Sequence, residues 1–256
     1  MHGPGTNRNR WWAISRPLQI RGLAFAAPVS LAAALLLSSC VNVATYTQPT
    51  AVRVIDASYI APAANFTVNG LLLAANVGSA TISPYGTFSP SVSAAIDMTA
   101  ATGGPALLTA SAPLVAGNQY SIYLADSIGT STAYLISVLQ DQQMQAPTGR
   151  AAFRFLNQAV MTGAVDIYIV PAGTAIADAV PLVTNLSVSG PVSYVTFQAQ
   201  AVTMIITPTG VTTPAYTSNP IQLIGGEART VLIMDAKLTS NPPVTAIMAD
   251  DAGPAN

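Results

Sequence analysis

From about residue 51 onward the chain is built of short runs in which β-branched and aromatic residues alternate with polar ones or displace them. Val52-Arg53-Val54-Ile55, Asn65-Phe66-Thr67-Val68, Tyr120-Ser121-Ile122-Tyr123-Leu124, Ala164-Val165-Asp166-Ile167-Tyr168-Ile169, Val202-Thr203-Met204-Ile205-Ile206 and Thr230-Val231-Leu232-Ile233-Met234 are the clearest. Runs of four to seven such residues, bounded by Gly, Pro, Asn and Ser, predict strands. No long segment after Cys40 carries a helical period with caps. Asn69-Gly70, directly after the second run, is the strongest short signal for a tight hairpin, because both positions tolerate positive φ.

The runs recur. Tyr85-Gly86-Thr87-Phe88 falls on Tyr194-Val195-Thr196-Phe197, Asn76 on Asn185, Pro105-Ala106 on Pro214-Ala215, Gly117 on Gly226, Asp126 on Asp235 and Asp141 on Asp250, all 109 positions apart. Nearer the start of each unit the spacing is 101, with Arg53 on Arg154 and Phe66 on Ile167, so the second unit carries eight more residues around Pro171-Ala172-Gly173. An insertion after a strand reads as a longer loop. Self-similarity at a fixed spacing is the mark of a repeated structural unit. The expected architecture is all-β: two tandem immunoglobulin-like antiparallel β-sandwiches, each of about 100 residues and about seven strands. Repeat 1 is placed at 51–141, a polar turn-forming linker at 142–150, repeat 2 at 151–251 and a tail at 252–256.

The first 39 residues follow a different pattern. Arg8, Arg10, Arg16 and Arg21 precede an apolar run from Leu23 to Leu37, which ends in Leu37-Ser38-Ser39-Cys40. A basic flank, a short apolar stretch and small residues form an export signal. The run is 15 residues long and contains Pro28, short of the roughly 20 apolar residues that span a bilayer. Leu37, Ser38, Ser39 and Cys40 resemble the lipobox of a bacterial lipoprotein. That resemblance implies a signal peptide over 1–39, cleavage before Cys40, lipidation of its thiol and a tether over 40–50. Val41 is not Asp, which by the same resemblance favours the outer membrane.

Loss of the signal changes the composition that matters for function. His2, Trp11 and Trp12 go with it, leaving five basic residues (Arg53, Arg150, Arg154, Arg229, Lys237) against ten acidic ones, a formal charge of −5. Dispersed basic residues supply no patch for phosphate neutralisation, which excludes a nucleic-acid partner. Zinc and most transition-metal sites take His or Cys ligands, and nucleophilic triads need a base that is usually His. No metal and no cofactor are expected. Charged residues are only 7% of the whole chain, against about 25% in an ordinary soluble domain, so few side chains are available for acid–base work.

Val52-Arg53-Val54-Ile55-Asp56-Ala57-Ser58, followed by Ala61-Pro62-Ala63 and a strand running into Asn69-Gly70, resembles the opening pattern of the family DUF4397, a domain of unknown function. The resemblance covers about residues 51–251. It implies a β-sandwich of exported or surface proteins and carries no established activity. The second copy, Phe153-Arg154-Phe155-Leu156-Asn157-Gln158-Ala159, departs from the pattern and lacks the Pro.

Several side chains remain as candidates. Tyr85 with Phe88, and Tyr194 with Phe197, suggest an aromatic ligand platform, yet residues at i and i+3 of a strand face opposite sides, so one of each pair is expected in the core. Asp56, Asp97, Asp126, Asp141, Asp166, Asp178, Asp250, Asp251 and Glu227 lack calcium-loop spacing and read as solvated turn or strand-end carboxylates. Arg53 and Arg154 are expected on an exposed strand face or paired with a nearby carboxylate. No catalytic residue is assigned, and the ligand-binding residues are open. The reading is a non-enzymatic, lipid-anchored cell-envelope protein serving as a binding or spacer module, attached to the membrane and open to a protein or glycan partner through sheet edges poor in lysine. The alternatives are a carboxylate-based glycan hydrolase and a carbohydrate-binding module without catalysis.

Overall fold

A computed structural model describes residues 47–127, 133–141, 145–190, 193–236 and 243–252, all within one compact body. The lipobox residues and Cys40 lie outside the described residues, as does the side chain of Asp178. The described residues are all-β apart from one 3₁₀ turn at Ile176–Asp178. Its first half runs through β1 (Thr50–Ala57), β2 (Ala64–Val68), β3 (Leu71–Val77), β4 (Thr81–Ile82), β5 (Gly86–Phe88), β6 (Ser91–Ala100), β7 (Ala106–Leu114), β8 (Gln119–Asp126) and β9 (Tyr134–Asp141). The second runs through β10 (Arg150–Gln158), β11 (Val165–Pro171), β12 (Val183–Leu186), β13 (Val195–Gln198), β14 (Ala201–Pro208), β15 (Tyr216–Thr217), β16 (Ile221–Gln222), β17 (Ala228–Asp235) and β18 (Val244–Ala252).

Four sheets result. In the first half β3-β2-β6-β7 faces β4-β1-β8-β9, with β5 also paired to β1; in the second β12-β11-β14-β15 faces β13-β10-β17-β18, with β16 also on β14. Each facing pair encloses its own apolar cluster. Val52, Val54, Phe66, Ile96, Met98 and Ile122 lie in one, and Phe153, Phe155, Ile167, Met204, Val231 and Ile233 in the other. The alternate residues of the same inner strands, Ile55, Ala57, Tyr123, Leu156, Leu232 and Met234, form a third cluster between the halves. Strands β1, β8, β10 and β17 are therefore covered on both faces, which is why their sequences run apolar almost without interruption.

The sandwiches are not antiparallel throughout. β1 pairs with β8, and β10 with β17, in parallel register. Each parallel pair sits at the centre of the stack, where both faces are covered, the environment parallel pairing requires. Neighbouring positions were not enough to reveal this, because a strand's direction leaves no trace in its own residue pattern.

Local signals hold. Asn69 and Gly70 both adopt positive φ, 50° and 77°, closing β2 onto β3. Asn76 and Asn185 both take φ of 52°. Each donates its backbone N–H to a side-chain oxygen on the neighbouring strand, of Asn65 at 2.8 Å and of Asp166 at 2.7 Å. Asn tolerates this left-handed backbone better than other non-glycine residues. The additional residues of the second half lie in the long connection from β11 to β12, residues 172–182, where the first half has only Asn69-Gly70.

Candidate functional site at the seam between the halves

The strand alternation that sends Val52 and Val54 into the first core sends Arg53 the other way, toward the second half. Arg154 on β10 points back toward the first. Both are almost fully buried, at 2% and 6% exposure. A buried guanidinium is costly unless it is paired and hydrogen-bonded, and here every guanidinium nitrogen has a partner. Arg53 donates Nε to Ser121 Oγ at 2.8 Å, Nη1 to the Asp250 carbonyl at 2.7 Å and Nη2 to the Asp251 carboxylate. Arg154 repeats the set in reverse, with Nε to Thr230 Oγ1 at 2.9 Å, Nη1 to the Gln140 carbonyl at 3.0 Å and Nη2 to the Asp141 carboxylate at 2.7 Å. Each arginine thus takes its hydroxyl from its own half and its carboxylate from the other.

Two tyrosines close the site. The Arg53 guanidinium stacks 4.6 Å from the Tyr85 ring centroid and that of Arg154 5.1 Å from Tyr194. Tyr85 donates its hydroxyl to Asp141 at 2.9 Å, and Tyr194 donates to Asp251. Asp141 also accepts from Ser121 at 2.7 Å and Asp251 from Thr230 at 2.6 Å. Two positive and two negative groups leave the seam neutral. Burial opposes the charge on Arg53, but the Tyr85, Asp141 and Asp251 oxygens outweigh it and hold its pKa above the usual arginine value. Burial, reinforced by the facing carboxylate, pushes the Tyr85 and Tyr194 hydroxyls well above the ordinary tyrosine range.

One position breaks the match. Tyr123 is fully buried in the seam and accepts from Arg154 Nη2 at 3.1 Å; burial pushes its own pKa up to about 12. The corresponding residue of the second half is Leu232, which joins the same apolar cluster and has no hydroxyl to offer Arg53.

The sequence candidates fare unevenly. Arg53 and Arg154 do pair with carboxylates, across the halves and out of solvent. Phe88 lies in the first core and Phe197 packs on the second, while Tyr85 and Tyr194 turn the opposite way, as the i and i+3 alternation requires. The solvated reading of the carboxylates fails for Asp56, Asp126, Asp141, Asp166, Asp251 and Glu227, all buried, as is Asp235. Asp126 accepts from Ser58 Oγ and the Tyr59 and Ile60 amides. Asp235 accepts from the Met161 and Thr162 amides and the Thr162 hydroxyl. Each of these two ties down the loop that follows the first strand of its half. Asp250, with an exposed side chain against Arg229 at 2.8 Å, and Asp97, half-buried and accepting from Thr109 Oγ1 at 2.8 Å, stay in reach of solvent as expected.

The alignment of Asp141 with Asp250 is one residue out. The connection from β17 to β18 is a residue longer than that from β8 to β9. Ser121 stands opposite Leu139 and Thr230 opposite Ala249, so Asp251 takes the place of Asp141. Asp250 takes that of Gln140 and offers only its carbonyl to the arginine. Ser121, Thr230, Tyr123 and Asp251 were not singled out by the sequence; the adjacent Asp250-Asp251 pair was the one signal for the last of them.

Residues 50–168 match a family model, Domain of unknown function (DUF4397). The match takes in the whole first half and continues through β10 into β11, so it includes both Arg53 and Arg154. No curated protein matches the chain.

Proposed function

We propose that this chain is a non-enzymatic, lipid-anchored protein of the bacterial cell envelope, held at the outer membrane through Cys40, in which two copies of one DUF4397-like sandwich act as a single stiff binding or spacer module. The observation that carries the reading is the sealed seam. Arg53, Arg154, Asp141 and Asp251 are spent on one another, and the remaining described arginines are also engaged, Arg150 with Thr196 and Arg229 with Glu227 and Asp250. A hydrolase working with two carboxyl groups needs both facing a substrate and water. The carboxylates gathered at the seam, Asp141 and Asp251, have side chains with 0% exposure and each accepts hydrogen bonds from an arginine, a tyrosine and a hydroxyl residue. Tyr85 and Tyr194, each stacked on a buried arginine, are not free to form a platform for a sugar, which also weighs against the carbohydrate-binding alternative.

Two matched halves joined by a neutral, fully hydrogen-bonded layer make a body that resists bending at its middle, a property suited to holding a binding surface at a set distance. Sheet edges are the surface this reading favours for a protein partner. β3 pairs only with β2, has no charged residue and exposes Leu71 and Leu72, so it lacks the usual protection against strand addition.

Fractionation of cells producing the protein, with a Cys40→Ser variant alongside, tests the anchor. The parent is expected in the outer-membrane fraction with incorporated fatty acid, and the variant free of both. Membrane attachment of Cys40→Ser equal to the parent's sinks the lipid-anchor reading. Protease treatment of intact cells then places the body on the outer or the inner face of that membrane.

A further inference from the structure

Asp56 and Asn157 occupy the same place in the two halves, 101 residues apart. Both follow the inward-facing valine or phenylalanine positions of the first strand and point to the end of their sandwich core. Both are fully buried, with 0% exposure. Both accept the backbone N–H two residues on through Oδ1, from Ser58 and from Ala159, each at 2.9 Å. There the likeness stops. The Asn157 amide also donates, to the Gly163 carbonyl at 2.7 Å and the Leu186 carbonyl at 2.9 Å. The Asp56 Oδ2, which stands where that amide nitrogen stands, has no hydrogen-bond partner among the described residues.

An ionised carboxylate is acceptor-only, so in this position it would present a bare charge to a setting that, in the other half, calls for a donor. Among the described residues no cation bears on it. The flanking strands place Leu124 of β8 and Thr81 of β4 beside Asp56 in register, and its inward neighbours on β1, Val52 and Val54, belong to the apolar core. The charged group that bears on it is Asp126, also an acid, at the end of β8. We propose that Asp56 is a proton-binding site: it carries its proton on Oδ2 in mildly acidic solution, a neutral carboxyl in the place that the second half gives to a neutral amide. Burial in this pocket, with Asp126 adding to it and the Ser58 amide opposing it, places the Asp56 pKa at about 7 against an ordinary 3.8.

The sign of the consequence follows from linkage. The folded chain binds this proton more tightly than the unfolded chain, so its stability falls as pH rises from the ordinary aspartate range, and the fall ends once pH has passed about 7. Histidine does not confuse the reading, since the chain's one histidine is His2.

Infrared spectra of the full-length protein, recorded from about pH 5 to about pH 9, test this together with urea unfolding of the parent and Asp56→Asn over the same range. A protonated-carboxyl C=O band present near pH 6 and bleached toward pH 9 is expected in the parent. The urea midpoint of the parent is expected to fall over this interval, while that of Asp56→Asn, in which the buried Asp251 is the one described carboxyl still held above its ordinary range, falls less and exceeds the parent's at the alkaline end. Absence of the band at pH 6 overturns the proposal whether or not the variant folds. So does an equal fall in midpoint for both proteins.

Discussion

The Arg53 guanidinium closes on the Asp251 carboxylate, 198 residues further along the chain. Arg154 makes the same closure on Asp141, only 13 residues away in sequence but in the opposite half. This exchange of partners means neither half satisfies its own charges. Each sandwich has its own apolar core, yet each left alone would lose the carboxylate hydrogen-bonded to its arginine, and Arg53 would keep only Asp141, 3.8 Å from Nη2.

Removing one member of such a pair should be far worse than removing both. Asp251→Ala leaves Arg53 buried against an empty site and is expected to lower stability by about 3–5 kcal/mol. The double variant Arg53→Met with Asp251→Leu is expected to recover most of that loss, since apolar replacement of a buried pair is often close to neutral. Urea unfolding of the single and double variants measures the coupling. Additive losses would show that the pair does not act as a unit.

The matched geometry predicts matched effects at the tyrosines. Tyr85→Phe and Tyr194→Phe each keep the ring over its arginine and lose a hydrogen bond to a carboxylate, a loss of about 1.5–3 kcal/mol. The two variants should have thermal midpoints that are equal within error. Tyr123→Phe, by contrast, removes an acceptor from Arg154 alone and has no counterpart variant in the second half.

Asn157→Asp installs in the second half the arrangement of Asp56. Its stability relative to the parent is expected to be close at about pH 5 and to decline as pH rises, because the new carboxyl must either hold a proton or face two carbonyl oxygens. Urea midpoints at two pH values suffice; a loss independent of pH would point to a packing effect.

The left-handed asparagines give a backbone test. Asn76→Gly relieves the positive φ, whereas Asn76→Ala is expected to cost about 1–2 kcal/mol, and Asn185 should respond alike because its φ is the same and its N–H is likewise bonded to a side-chain oxygen of the neighbouring strand. Thermal unfolding of the four variants decides it.

Edge association makes a separate claim. Leu72→Lys puts a charge on the unpaired side of β3 and is expected to reduce self-association in sedimentation experiments while shifting stability by less than about 0.5 kcal/mol. A parent that stays monomeric at high concentration removes this edge as a self-association surface.

What the sequence determined by itself lies in short-range chemistry. β-branched and aromatic runs between turn residues specified an all-β chain, Asn69-Gly70 specified a left-handed turn, and period-two alternation sent Phe88 and Tyr85 to opposite sides. These depend on a residue and its immediate neighbours. Tertiary structure alone decided the rest. That β1 lies parallel to β8, that the outer faces of β1 and β10 meet, and that Asp251 rather than Asp250 faces Arg53 all depend on how distant strands are brought together. A one-residue difference in a connecting loop is enough to swap a buried carboxylate for an exposed one, because successive side chains of a strand point to opposite faces. The same holds for Asp56. An aspartate near a strand end reads as solvated in one dimension, and it becomes a buried acid once a second sheet covers it.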